Sequence, residues 1–338
     1  MLLFRIAFCL FCVSYPVNSV ASATYPVNGI ASAICFPDWE KLICITETDD
    51  SSICSTTHRE HKEIRRNLQD VFEGAPRPIQ KLICELEQIK IVEIPPYDFF
   101  YAHADMYKKI ITLSIDLFEN SAFVHFIKKD ALENIILSDF TEIVYDNSIK
   151  KLTDTKDLRV NILGNKNYRE RAFLELTRVF MHELAHIFEA HSLGGDGFHC
   201  TSHMNWFHQP PKNSKELALT PLTSSDQCVL SFPRQDAADH FSKLQNSPFV
   251  SPYATCNMQE DFAEFFSWYI LFKFYDLDFE ISKKGEVLFR LSDFFASPKA
   301  SEKSKTIDAF LKYKSEIPDK GYDMFFDHLT CSKEFSVN

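Results

Sequence analysis

Between residues 168 and 191 the apolar side chains Phe173, Leu176, Phe180, Leu184 and Ile187 recur at steps of three and four, and Gly194-Gly195 follows as a stop. That spacing makes one apolar helical face. The same stretch contains His182-Glu183-Leu184-Ala185-His186, an HExxH sequence. A helix advances about 100° per residue, so histidines at i and i+4 leave one face about 6 Å apart along the axis and can chelate one metal ion. Glu183 lies one position to the side, where a carboxylate reaches a water on the metal without entering the coordination sphere. It is the expected general base. Two imidazoles with a carboxylate favour zinc, whose catalytic sites take three protein ligands and leave the fourth position to water. Uncharged neighbours, Val179-Phe180-Met181 before the motif and Ile187-Phe188 after it, fit a helix buried on every side but the metal.

The third ligand decides the class. HExxHxxGxxH requires a glycine where Glu189 stands and a histidine where Ser192 stands, so that arrangement fails. The other source is a later helix, and Glu260-Asp261-Phe262-Ala263-Glu264 places two carboxylates at i and i+4 on one face. One binds zinc while the other orients a ligand histidine from behind, and helical geometry alone does not rank them. Tyr253, in Ser251-Pro252-Tyr253, stands seven residues before Glu260.

With these motifs the chain resembles the gluzincin metallopeptidases and, among them, the catalytic domain of lethal-factor-type toxins. The resemblance covers roughly residues 158–274 and is carried by HExxH, Glu-x-x-x-Glu and the preceding tyrosine. It implies that His182, His186 and Glu260 are zinc ligands, Glu183 the base, Glu264 the orienting carboxylate and Tyr253 the oxyanion donor; were Tyr253 not the donor, another group such as His240, or zinc alone, would carry the oxyanion. It also implies one Zn2+ per chain. The stretch 187–259, with its cysteines and prolines, departs from that family.

Composition sets the frame. With 338 residues, 45% hydrophobic and 25% charged, the chain can bury a substantial core, and disordered, collagenous and low-complexity classes are excluded. Acidic residues outnumber basic ones 47 to 36 without a basic stripe, so nucleic acid is not an expected partner. Arg5 within the short apolar run 2–13, followed by Ala21-Ser22-Ala23 and again by Ala31-Ser32-Ala33, reads as a signal peptide over 1–23, with cleavage as late as 33 as the alternative. No segment reaches the ~20 apolar residues of a membrane helix. Once Cys9 and Cys12 leave with the leader, Cys35, Cys44, Cys54, Cys84, Cys200, Cys228, Cys256 and Cys331 remain. An even set without CxxC spacing reads as disulfides, paired within the first four and within the last four.

Along the rest of the chain, 34–55 looks like an irregular cysteine-bearing extension, and 58–72 and 78–88 look helical. Strands are expected at 89–94, 109–115 and 158–163, a short helix at 235–244 and a further helix from near 257 to about 274. The tail from Tyr275 looks helical and polar. His199, His203 and His208 lie among Gly, Ser and Pro and read as surface or pocket-wall residues. The expected fold is α+β and zincin-like: a small twisted sheet packed on the HExxH helix, a mainly helical C-terminal subdomain, a cysteine-bearing region at 34–90 and a metallopeptidase domain at 91–338. The expected activity is that of a secreted or periplasmic zinc endopeptidase, with a peptide held by an edge strand at 109–115 or 158–163. The alternatives are an exported zinc-binding toxin or interaction module without turnover, and a zinc amidase acting on a non-peptide substrate.

Overall fold

The computed structural model describes residues 35–48, 54, 61–94, 102–118, 131–145, 148–151, 154–164, 168–192, 220–221, 230–231, 237–255 and 258–316. The expected leader, Cys200, Cys228, Cys256 and Cys331, and the histidines at 199, 203 and 208 lie outside these residues.

A first sheet starts in the segment read as an irregular extension. After the single turn α1 (Trp39–Leu42), Ile43 and Ile45 fall on one side of β1 (Ile43–Thr48), and both are buried. β1 runs parallel to β2 (Gln88–Ile94), and such a pair needs a crossover. α2 (His61–Gly74) and α3 (Arg77–Cys84) supply it. α3 begins at Arg77-Pro78, where a proline lacks no hydrogen bond the helix needs, and buries Ile79, Leu82 and Ile83. The expectation of an irregular 34–55 therefore fails: the alternation of Ile43 and Ile45 is too short to read alone, and pairing with β2 is what makes it a strand. Disulfides Cys35–Cys84 and Cys44–Cys54 staple this region, as the grouping of the first four cysteines anticipated.

β3 (Ala102–Asp105) and β4 (Ile110–Ser114) complete the sheet in the order β1-β2-β4-β3, with β4 parallel to β2 and β3 antiparallel to β4. Residues 109–115 were a candidate edge. The structure corrects this, because β4 is interior, with Ile111 and Leu113 buried, and the edges are β1 and β3.

The helix α4 (Ala131–Thr141) is followed by the hairpin β5 (Glu142–Tyr145) and β6 (Ser148–Lys151), then β7 (Leu158–Ile162). The 25-residue α5 (Tyr168–Ser192) lies against β3 and β4 and against α2 and α3. A two-strand ladder, β8 (Thr220–Pro221) with β9 (Leu230–Ser231), precedes α6 (Ala237–Gln245), a 3-10 turn (Tyr253–Thr255) and α7 (Met258–Phe274), which packs along α5. The tail is not wholly helical. β10 (Phe279–Lys283) and β11 (Glu286–Arg290) form a hairpin that joins β7 in the order β11-β10-β7. Its two-residue turn is Lys284-Gly285, both at positive φ (53° and 88°), the pairing that matches strand twist. Phe279 and Ile281 turn inward at period two, a strand signal obscured by the charges around it. α8 (Leu291–Ala296) and α9 (Pro298–Glu316) finish the described chain.

The core between α5, α7 and the second sheet is aromatic. Phe140 meets Phe289, Phe279 and Trp268 at ring-centroid distances of 5.2, 5.5 and 5.7 Å. Gly164, closing β7, allows the chain to run against the α7–β10 connection: a Cβ there would lie 2.0 Å from the Asp276 carbonyl oxygen. Among the described residues no helix is long and apolar enough to cross a membrane.

Candidate metal centre

α5 presents two faces with different chemistry. Leu176, Phe180, Leu184 and Ile187 face the core, while His182 and His186 emerge together a third of a turn away. α7 meets that second face with its first turn. Glu260 and Asp261 sit where the helix N-terminus favours negative charge, and Glu264 follows one turn later.

The donor atoms converge. His182 Nε2 lies 3.1 Å from Glu260 Oε2 and 3.2 Å from His186 Nε2, and His186 Nε2 lies 3.5 Å from Glu260 Oε2. Zinc bonds of about 2.0–2.1 Å in tetrahedral geometry place neighbouring donors roughly 3.3 Å apart. The three atoms therefore already have the spacing that a tetrahedral zinc needs, and they form a group able to hold a metal ion.

Behind the donors stands a buried polar array. Glu264 Oε1 is 3.0 Å from His182 Nδ1, the nitrogen opposite the one that faces Glu260. Its other oxygen accepts from Ser251 Oγ at 2.6 Å and from Trp268 Nε1 at 3.1 Å. Arg178 reaches Glu264 Oε1 at 3.5 Å and Asp139 Oδ2 at 3.0 Å, with its guanidinium 5.5 Å from the Trp268 ring centre. Ser251 Oγ also accepts the Ala254 amide at 3.1 Å, so the turn carrying Tyr253 is tied to Glu264.

The charges respond to this packing. Burial pulls the His182 ring toward neutrality, but hydrogen bonds to Glu260 and Glu264 outweigh it and hold the pKa at about 10, marking a site built for a cation. Burial acts upward on Glu260 as well, and both histidines reverse it, leaving this carboxyl far below the usual range. Burial raises Glu183, which feels His182, His186 and Glu260. Burial raises Glu189 to about 7 and Asp139 to about 7, the latter against the pull of Arg178. Tyr253 stacks obliquely on His182, ring centres 5.9 Å apart. Its ring reaches the surface, while its hydroxyl donates to Glu260; burial and then the nearby carboxylates push its pKa well up.

The structure thus gathers His182, Glu183, His186, Tyr253, Glu260 and Glu264 into one cluster. It does the opposite with His240, the substitute oxyanion donor: that ring is fully buried on α6 beside Phe241, and burial lowers its pKa to about 4. Sequence reasoning missed Asp139, Arg178, Ser251 and Trp268. The available signal was Arg178, a charge one helical turn before His182 and on the same side of the helix.

A family model, Peptidase_Mx1, described as "Putative zinc-binding metallo-peptidase", matches residues 94–318, more than half of the chain. The chain belongs to this family of zinc-binding metallopeptidases. No curated protein and no solved structure matches it.

Proposed function

We propose that the protein is an exported, gluzincin-type zinc endopeptidase with His182, His186 and Glu260 as ligands. The observation that carries this reading is the convergence of two imidazoles and one carboxylate at 3.1–3.5 Å, with a buried carboxylate, Glu183, in range of all three. Bound zinc supplies Lewis acidity and lowers the pKa of water to near neutrality.

The chain's own residues supply the rest. Glu183 takes the proton of the attacking water, a task suited to a carboxyl raised by burial, and passes it to the departing amide nitrogen. Tyr253, whose hydroxyl already points into the centre, donates to the oxygen that becomes an oxyanion. Glu264 Oε1, 3.0 Å from His182 Nδ1, orients the ring so that Nε2 faces the metal. β3, an edge strand packed beside α5, lies where an extended peptide would add to the sheet as a further strand. The disulfides Cys35–Cys84 and Cys44–Cys54 support export, since such bonds persist in oxidising compartments.

The test is hydrolysis of an unfolded protein substrate, abolished by a chelator and restored by zinc. Zinc binding with no cleavage of any peptide or protein would identify an interaction module instead. Cleavage confined to non-peptide amides would identify an amidase.

A further inference from the structure

α5 carries another carboxylate on the side that bears the metal ligands. Positions 182, 186 and 189 fall within about 60° of one another around a helix, so Glu189 continues the row of His182 and His186, about 4.5 Å further along the axis. Its side chain is 8% exposed, and its Oε2 meets no hydrogen-bond donor among the described residues. The charged groups it feels are His186 and Glu260. The other carboxylates of the centre each have work or a partner: Glu260 faces both histidines, Glu264 is held by Ser251, Trp268 and His182, Asp139 by Arg178, and Glu183 is placed for proton transfer.

A buried carboxylate oxygen that meets no donor among the described residues has lost hydration without regaining a hydrogen bond there. Neighbouring Ile187 and Phe188 fill the core, so packing does not require an acid at 189. Around one zinc dication four acidic side chains, Glu183, Glu189, Glu260 and Glu264, face the centre, with Arg178 offsetting part of Glu264, and the chain as a whole carries −11. Both draw cations toward the centre.

We propose that Glu189 is a specificity residue that binds a cationic group of the substrate beside the scissile bond, so that the enzyme selects basic peptides. This rests on the peptidase reading above. The cation is an ammonium or guanidinium, which a peptide supplies either from a Lys or Arg side chain or from its free amino terminus.

The experiment uses zinc-loaded Glu183→Gln protein, which binds without turnover, and calorimetric titration with matched peptides. One set replaces each residue flanking the cleavage site in turn by Lys or by its neutral analogue norleucine; the other compares free with acetylated amino termini. One cationic location should tighten binding about 10–100-fold, and which set shows it identifies the source of the charge. Adding Glu189→Gln, or Glu189→Met if the amide variant misfolds, should bring the paired peptides to within about twofold of each other. In the unmutated enzyme kcat/KM should follow the same preference. Equal handling of charged and neutral peptides at every position, or a preference that survives loss of Glu189, overturns the proposal and leaves the peptidase reading intact. A protein that neither binds nor cleaves any peptide overturns both.

Discussion

Glu264 Oε1 lies 3.0 Å from His182 Nδ1, while Glu260 Oε2 lies 3.1 Å from Nε2 of the same ring, so two carboxylates one turn apart on α7 grip opposite ends of one imidazole. Their substitutions should differ in kind. Glu260→Ala removes a ligand and should abolish zinc retention at moderate metal concentration. Glu264→Ala removes the group that fixes the ring and should weaken affinity about 10–100-fold. Competition against a chromophoric chelator measures both, and the reverse order would exchange the two assignments.

Arg178 links Asp139 to Glu264 inside the protein. Arg178→Met leaves Asp139 without its cation and Glu264 with only His182, and should cost about 3–5 kcal/mol of stability, as breaking a buried pair does. Denaturant unfolding of the metal-free protein checks this. Adding Asp139→Asn should recover part of the loss, and a cost under about 1 kcal/mol would show that the array is not a stabilising unit.

Tyr253 contributes only when charge develops on the substrate oxygen. Tyr253→Phe should therefore lower kcat about 10²–10³-fold with KM and zinc content nearly unchanged. Near-normal kcat in a folded, zinc-loaded variant would assign the oxyanion to another group.

His240 predicts acid sensitivity. Its pKa is about 4 in the folded protein against 6.5 for a free ring, so the unfolded chain binds the proton first as pH falls. Stability from the neutral ring is complete above about pH 6.5, declines below it and is gone below about pH 4. Between pH 7 and pH 5 the loss is about 2 kcal/mol. Unfolding free energies at the two pH values should fall by about that much more in the natural protein than in His240→Leu. Equal falls would contradict the assignment.

Much of the centre was legible because its chemistry is local in sequence. His182, Glu183 and His186 share two turns of α5, and Glu260 and Glu264 share one face of α7, so helical periodicity alone brings each set together. The partners behind them were not legible. Asp139 comes from α4, Ser251 from the turn before Tyr253 and Trp268 from the next turn of α7, and only packing brings them to Glu264. The strands divide in the same way. β2 and β4 are dense in β-branched residues, Ile89, Ile91, Val92 and Ile94 in one and Ile110, Ile111 and Thr112 in the other, whereas β1 and the β10–β11 hairpin alternate with Cys, Thr, Glu and Lys and take their form from pairing across the sheet.

The most direct test of the account is Glu183→Gln, assayed for bound zinc and for hydrolysis of an unfolded protein. Because Glu183 stands beside the ligands without joining the three converging donors, the variant should hold one zinc per chain and lose hydrolysis. A variant that loses its zinc yet still hydrolyses the substrate would contradict the roles assigned here.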